Sequence, residues 1–107
     1  MNQTIEDLKA ARDIVKDHWH QGALEDGNGN YCVVGAINKA TCGHGYFCAT
    51  RPGIAARRWS ALDALNNHLP WEFQDVGIPS FNDNESTTHA DVLTLFDKAL
   101  ADLGGLA

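Results

Sequence analysis

Apolar residues recur at steps of three and four positions in four parts of this chain, and that period predicts amphipathic helices. The first predicted helix runs from about Ile5 to Trp19. Thr4 and Asp7 stand where a capping box would lie at its start, and Gly22 can close its far end. The pattern therefore predicts a first helix with well-marked boundaries.

The last predicted helix carries the same start signal, because Thr88 precedes Asp91 by three residues. The glycine pair at 104–105 ends it. Helical periodicity predicts that Asp91, Lys98 and Asp102 face outward. The inward stripe is predicted to comprise Val92, Leu93, Phe96, Leu100 and Leu103.

Two further helices are predicted between these. The valine-rich run at 31–37 fits either a strand or a buried helix. We interpret it as a helix, because Asn30 is a good N-cap and the helical period continues to Cys42. Another helix is predicted from near Pro52 until Pro70 stops it. Its repeating positions are Ile54, Ala55, Arg58, Trp59, Leu62, Leu65 and Leu69.

The connections between the predicted helices are irregular. Residues 25–30 concentrate Gly, Asn and Asp, which predicts a loop. Residues 43–53 and 70–87 are also predicted to be irregular, with the aromatic side chains of the second stretch folded over the core. The small residues Gly35 and Ala36 are expected to let another helix approach closely. Four helices and no convincing sheet predict an all-α fold with long second and third connections.

The composition places these helices in one compact domain spanning residues 1–107, of which 44% are hydrophobic and 21% charged. A chain of this size can fold unaided but has little room for a deep catalytic chamber. No apolar run approaches the ~20 residues of a membrane span, and no secretory signal begins the chain. Three cysteines are too few for a disulfide scaffold. We therefore expect a cytoplasmic protein that does not bind a membrane.

The charge of the chain is uneven. The net charge is −6, and residues 59–107 hold eight acidic residues and one basic residue, Lys98. Nucleic acid is bound mainly by lysine and arginine that neutralise phosphates. The charge therefore argues against a nucleic-acid partner.

Four short motifs are spread over most of the chain: Trp19-x-x-Gly22, Cys32-x-x-Gly35-Ala36, Phe81-Asn82-Asp83 and Thr88-x-x-Asp91-Val92-Leu93. Together they resemble a small uncharacterised helical domain family of actinobacteria and their phages. That family usually has Trp-Asn-Asp where this chain has Phe81. The resemblance implies a compact helical domain of phage or prophage origin. It implies no reaction and carries over no catalytic residue.

Cys32 has two interpretations. A thiol at a helix N-terminus ionises more easily, so Cys32 could be a nucleophile. Such an enzyme would also need a base and an orienting group, for which the candidates are His44, His68, His89, Asn82 and Asp83. The preferred interpretation is that Cys32 is a small buried residue among apolar neighbours.

A zinc site is a second candidate. Cys42, His44 and Cys48 lie in one glycine-containing stretch, and His18 or His20 could complete a tetrahedron. Four protein ligands would make the site structural. The spacing matches no standard zinc finger. We therefore favour a protein without a cofactor, in which these residues are ordinary surface and packing side chains, over a zinc-stabilised one.

Two polar clusters have structural interpretations. The stretch at 82–85 lacks the ligand spacing of a calcium loop. We expect its side chains to accept hydrogen bonds from backbone amides in a tight turn and at the start of the second helix. Arg51, Arg57 and Arg58 form the one basic cluster. They are expected to pair with the acidic half of the protein itself rather than with an acidic partner.

Three classes of function follow. The preferred one is a small acidic binding protein that docks on a host or cellular protein in the bacterial cytosol and changes its activity. An exposed cluster among Tyr46, Phe47, Trp71 and Phe73 would mark its anchor, since aromatic residues concentrate binding energy. The alternatives are a small enzyme that uses Cys32 and a zinc-stabilised structural module.

Overall fold

The computed structural model describes residues 2–45 and 52–105, and helices dominate that part of the chain. The α-helices are α1 (Gln3–His18), α2 (Val33–Cys42), α3 (Pro52–Asn66), α4 (Ile78–Asp83) and α5 (His89–Asp102), with a 3₁₀ turn at Trp71–Phe73. No strand forms in the described residues, where the β-type pairing consists of isolated bridges from Tyr31 to Trp19 and Glu25. The all-α prediction is confirmed.

α1 makes the most extensive contacts of the helices, mainly with α2 and α5 and also with α3. Each of these helices contributes an apolar stripe to one continuous core. The fully buried side chains of that core include Leu8, Val15, Val33, Ile37, Leu65, Val92, Phe96 and Leu100. Within the described residues, no helix is both long enough and apolar enough to span a bilayer.

The predicted start signal of α1 is wrong, and the helix runs over Gln3–His18 rather than from about Ile5 to Trp19. Asn2 is the N-cap, and its Oδ1 accepts a hydrogen bond from the Thr4 amide at 2.8 Å. Asp7 is therefore not a capping-box acid; it is only 3% exposed and pairs with Arg57 at 2.7 Å. At the far end the extended Trp19, rather than Gly22, is the C-cap.

α2 also begins later than predicted. Its N-cap is Cys32 rather than Asn30, while Gly43 ends it in the left-handed region as the sequence suggested. The close approach expected at Gly35 is made by a loop and not by a helix. A Cβ atom on Gly35 would lie 1.8 Å from the carbonyl oxygen of Leu24.

The stretch predicted to be irregular at 70–87 contains the 3₁₀ turn and α4. α4 has only six residues, too few to show a helical period in the sequence. α3 ends at Asn66, ahead of Pro70.

The start and orientation of α5 agree with the prediction. Thr88 and Asp91 form the expected capping box. Phe96 is fully buried, whereas Asp91, Lys98 and Asp102 are exposed. Leu95 and Ala99 are buried as well and widen the predicted apolar stripe.

Candidate functional site

The most connected polar side chain of the described structure belongs to Asn82, which is 1% exposed. Its Oδ1 accepts hydrogen bonds from Trp19 Nε1 at 2.7 Å and from the Val33 amide at 3.0 Å. Its Nδ2 donates to the carbonyl of His20 at 3.3 Å and to Asp83 Oδ1 at 2.9 Å. One amide thus joins the segment after α1, the start of α2 and α4.

Further hydrogen bonds surround Asn82. Gln21 Nε2 donates to the carbonyl oxygens of Asn82 at 3.0 Å and Asn84 at 2.8 Å. The Gly22 amide donates to Asp83 Oδ1 at 2.9 Å. The segment at 19–22 is therefore held against the end of α4 by both side chains and backbone.

Trp19 extends these contacts to α5. Its ring stacks on His89 with centroids 5.5 Å apart and an angle of 15° between the planes. His89 Nε2 lies 2.5 Å from the carbonyl oxygen of Val15 and can donate to it. The start of α5 is thereby tied to the last turns of α1.

Residues from the first three sequence motifs meet around Asn82, which we call the Asn82 junction: Trp19, Gly22, Cys32, Gly35, Asn82 and Asp83. The expectation that the stretch at 82–85 serves backbone amides is confirmed at the Val33 amide and, through Asn84 Oδ1, at the Ser86 amide at 2.9 Å. The motif residues thus hold three segments together, namely the segment after α1, the start of α2 and the end of α4.

Cys32 is part of this junction. It is 8% exposed, and its Sγ accepts a hydrogen bond from the Gly35 amide at 3.3 Å. Burial raises the pKa of the thiol, which favours the protonated form. Among the described residues no histidine forms a hydrogen bond with this sulfur. The geometry is that of a capping residue, and the enzyme hypothesis stays a prediction.

The structure describes four of the five candidate zinc ligands. Cys48 lies outside the described residues. Within residues 2–45 and 52–105, which include Cys42, His44, His18 and His20, no three His, Cys, Asp or Glu side chains form a group that could hold a metal ion. The four-ligand site that includes Cys48 therefore stays a prediction.

The described arginines of the basic cluster contact different parts of the protein. Arg57 pairs with Asp7, which belongs to the N-terminal half rather than to the acidic C-terminal half. Arg58 Nε donates to Asn38 Oδ1 at 2.6 Å, and Asn38 Nδ2 donates to the carbonyl of Gly45 at 2.8 Å. Arg51 lies outside the described residues. The two described arginines thus contact groups of the protein itself.

Of the aromatic residues expected to be exposed, Trp71 agrees with the expectation and Phe73 does not. Trp71 is 85% exposed, but Phe73 is half-buried and packs edge-on against Phe81 with ring centroids 5.4 Å apart. Tyr46 and Phe47 lie outside the described residues. The three- and four-residue period of α3 included Trp59 among the positions of its apolar face, yet this side chain is 67% exposed.

The position of Trp59 relative to the buried residues of α3 explains its exposure. Ala61 and Leu65 are the fully buried positions of that helix, and they lie four residues apart. Trp59 is two residues before Ala61, and residues two apart in a helix do not share a face. Trp59 therefore points away from the buried face of α3.

Trp59 borders a groove of about 360 Å³ between α2, α3 and α4, which we call the Trp59 groove. Its apolar lining consists of Val34, Trp59, Leu62, Ile78 and Pro79. Its polar lining is Arg58, Asp63 and Asn66. An exposed indole beside an apolar groove is the arrangement by which proteins hold an apolar side chain of a partner.

Comparison with known proteins assigns the chain to a family but not to an activity. The sequence pattern of a family of unknown function, DUF6197, matches residues 1–102, so the chain belongs to that family. No curated protein and no solved structure gives a significant match.

Proposed function

We propose that this member of DUF6197 is a small acidic binding protein that docks on another protein through the Trp59 groove. The observation that carries the proposal is the exposure of Trp59 beside a preformed apolar groove. Burying a large indole stabilises a complex strongly, and tryptophan is enriched among the residues that dominate binding energy.

The lining of the groove indicates the chemistry of the partner. Val34, Leu62 and Ile78 offer apolar contacts, while Asp63 adds an exposed carboxylate at the same place. The net charge of −6 favours encounter with a basic surface. The partner is a protein segment that presents an apolar side chain next to a lysine or arginine.

We further propose the setting that the sequence resemblance implies. The protein originates from an actinobacterium or one of its phages, and its partner is a host or cellular protein in the bacterial cytosol. Binding changes the activity of that partner. The small size and acidic charge of the chain are compatible with this role.

The test compares two tryptophans that are both exposed. Tagged wild type, Trp59→Ala and Trp71→Ala are used to capture partners from an actinobacterial lysate, and the captured proteins are quantified by mass spectrometry. We expect Trp59→Ala to lower the recovery of a stoichiometric partner by at least about tenfold, because a dominant anchor contributes ~2 kcal/mol or more.

Trp71→Ala is the matched control, since Trp71 is exposed but does not line the groove. It should capture the partner as well as wild type does. Equal recovery by Trp59→Ala and wild type, with both proteins folded by circular dichroism, would exclude the Trp59 groove as the docking surface. Addition of salt should weaken capture if a basic segment is recognised.

A further inference from the structure

A second cleft, which shares no lining residue with the Trp59 groove, has a different chemistry. It has a volume of about 260 Å³ and lies between the 3₁₀ turn, residues 86–87 and α5. Phe73, Phe81 and Leu95 contribute its apolar lining. This volume lies just below the usual range of ~300–1,000 Å³ for drug-sized ligands, so the cleft suits a smaller ligand such as a single amino acid.

The cleft carries charges of both signs. Glu72 and Asp91 supply carboxylates, and Lys98 supplies an ammonium group. Within the described part of the chain, neither Glu72 nor Lys98 takes part in an ion pair or a side-chain hydrogen bond. One Asp91 oxygen accepts from the Thr88 amide at 2.9 Å. Glu72 and Lys98 are therefore the charges that a ligand can engage.

His68 is the remaining ionisable residue of the cleft. Its Nε2 has no exposed surface and lies 3.4 Å from Asp102 Oδ2. A ligand therefore cannot contact this nitrogen directly, and His68 forms part of the wall of the cleft.

We propose that this cleft binds a free α-amino acid with an apolar or aromatic side chain. Glu72 holds the ammonium group of the ligand, Lys98 holds its carboxylate, and its side chain lies against Phe73 and Phe81. Such a ligand satisfies both signs of charge and the aromatic lining at once. A simple amine or a simple carboxylic acid would satisfy one charge only.

The experiment titrates the ¹⁵N-labelled protein with three probes and follows amide shifts by nuclear magnetic resonance. The probes are L-phenylalanine, phenethylamine, which lacks the carboxylate, and 3-phenylpropanoate, which lacks the ammonium group. We expect L-phenylalanine to bind about two- to fivefold more tightly than either analogue, as one exposed ion pair allows. Shifts should concentrate on the cleft residues.

Two substitutions separate the roles of the charged groups. Lys98→Gln should weaken L-phenylalanine about fivefold and leave phenethylamine unchanged. Glu72→Gln should weaken L-phenylalanine and phenethylamine and leave 3-phenylpropanoate unchanged. Lys16→Gln is the matched control, because Lys16 is exposed on α1 and lines neither cleft, and it should bind all three probes as wild type does.

Several results would overturn this proposal. Absence of saturable shifts with L-phenylalanine up to about 10 mM would exclude the site. Equal affinity for the three probes would show an apolar cleft without charge recognition. An unchanged affinity of Lys98→Gln or Glu72→Gln for L-phenylalanine would remove the assigned contacts. None of these outcomes affects the Trp59 groove, which shares no residue with this cleft.

Discussion

At the scale of single residues, Asn82 shows how one buried amide can organise several segments. Its side chain offers one acceptor oxygen and two donor hydrogens, and both kinds of group are used. A polar side chain buried to this extent is stable only when its hydrogen bonds are satisfied. The Asn82 junction therefore behaves as a connected network rather than as a set of independent contacts.

Removal of this amide is expected to be costly. Asn82→Ala leaves Trp19 Nε1 and the Val33 amide without their acceptor, and each unsatisfied buried donor costs ~1–3 kcal/mol. We expect unfolding free energy to fall by roughly 3 kcal/mol or more in urea titrations. Asn84→Ala, which loses only contacts with Ser86, should lose about 1 kcal/mol or less. Equal losses in the two variants would contradict the central position of Asn82.

Asp26 gives a prediction about pH. Its carboxylate accepts hydrogen bonds from Asn30 Nδ2 at 2.9 Å and from the amides of Asn28 and Asn30, and these bonds lower its pKa from 3.8 to about 2. Because the pKa is lowered in the folded protein, the ionised form favours the folded loop. This contribution is complete above the ordinary pKa and is lost as the pH falls from about 4 towards 2.

The measurement is the carbon chemical shift of the Asp26 carboxyl group as a function of pH. It should report a midpoint well below the ordinary value of 3.8 for an aspartate. Asn30→Ala removes the side-chain donor and should raise the Asp26 midpoint towards the ordinary value. A normal midpoint in the wild-type protein would contradict the hydrogen-bonded loop.

At the scale of elements, helix packing depends on how closely backbones approach. α2 and the loop before it meet at Gly35, where the carbonyl of Leu24 occupies the space that a side chain would need. The same loop is connected to the segment after α2, since Glu25 Oε2 accepts a hydrogen bond from the Gly45 amide at 3.0 Å. The loop thus contacts both the first turn of α2 and the segment that follows this helix.

Two glycines in helices should therefore respond in opposite directions to the same substitution. Gly35→Ala places a Cβ atom 1.8 Å from the Leu24 carbonyl oxygen, so the loop must move and stability should fall by ~1–3 kcal/mol. Gly53→Ala in α3 meets no atom within 4 Å and should raise stability by ~0.5–1 kcal/mol. Thermal unfolding of both variants tests the pair. Similar changes in both would contradict the packing at Gly35.

At the scale of the whole molecule, the fold brings together polar groups that are far apart in the sequence. Arg12 and Asp97, for example, form two hydrogen bonds at 2.6 and 3.2 Å that join α1 to α5. Arg57 and Asp7 join α3 to α1 in the same way. These pairs complement the apolar core and orient the helices around α1.

The zinc hypothesis is also decided at this scale, because its ligands come from different parts of the chain. Our preferred interpretation predicts a native mass equal to that of the polypeptide and a melting temperature that a chelator leaves unchanged. A mass increase of one zinc ion, together with destabilisation by chelator, would instead support a structural site at Cys42, His44, Cys48 and His18 or His20. Cys48→Ser then provides the control.

The sequence by itself determined the helical class of the protein and the better part of its helix pattern. Apolar stripes and capping signals depend on residues only a few positions apart, as in the capping box of Thr88 and Asp91. They can therefore be recognised from the sequence without a structure. It also identified 82–85 as a stretch that serves backbone amides. The short α4 escaped detection because six residues are fewer than two helical turns.

Only the tertiary structure decided which side chains meet. Asp7 pairs with Arg57 and does not cap its own helix, and Cys32 rather than Asn30 is the N-cap of α2. A residue far away in the sequence can override a local preference when it offers a better contact. Exposure of Trp59 and the joining of Trp19 to Asn82 likewise depend on residues separated widely along the chain. Such contacts follow from how the helices pack, which local sequence patterns do not specify.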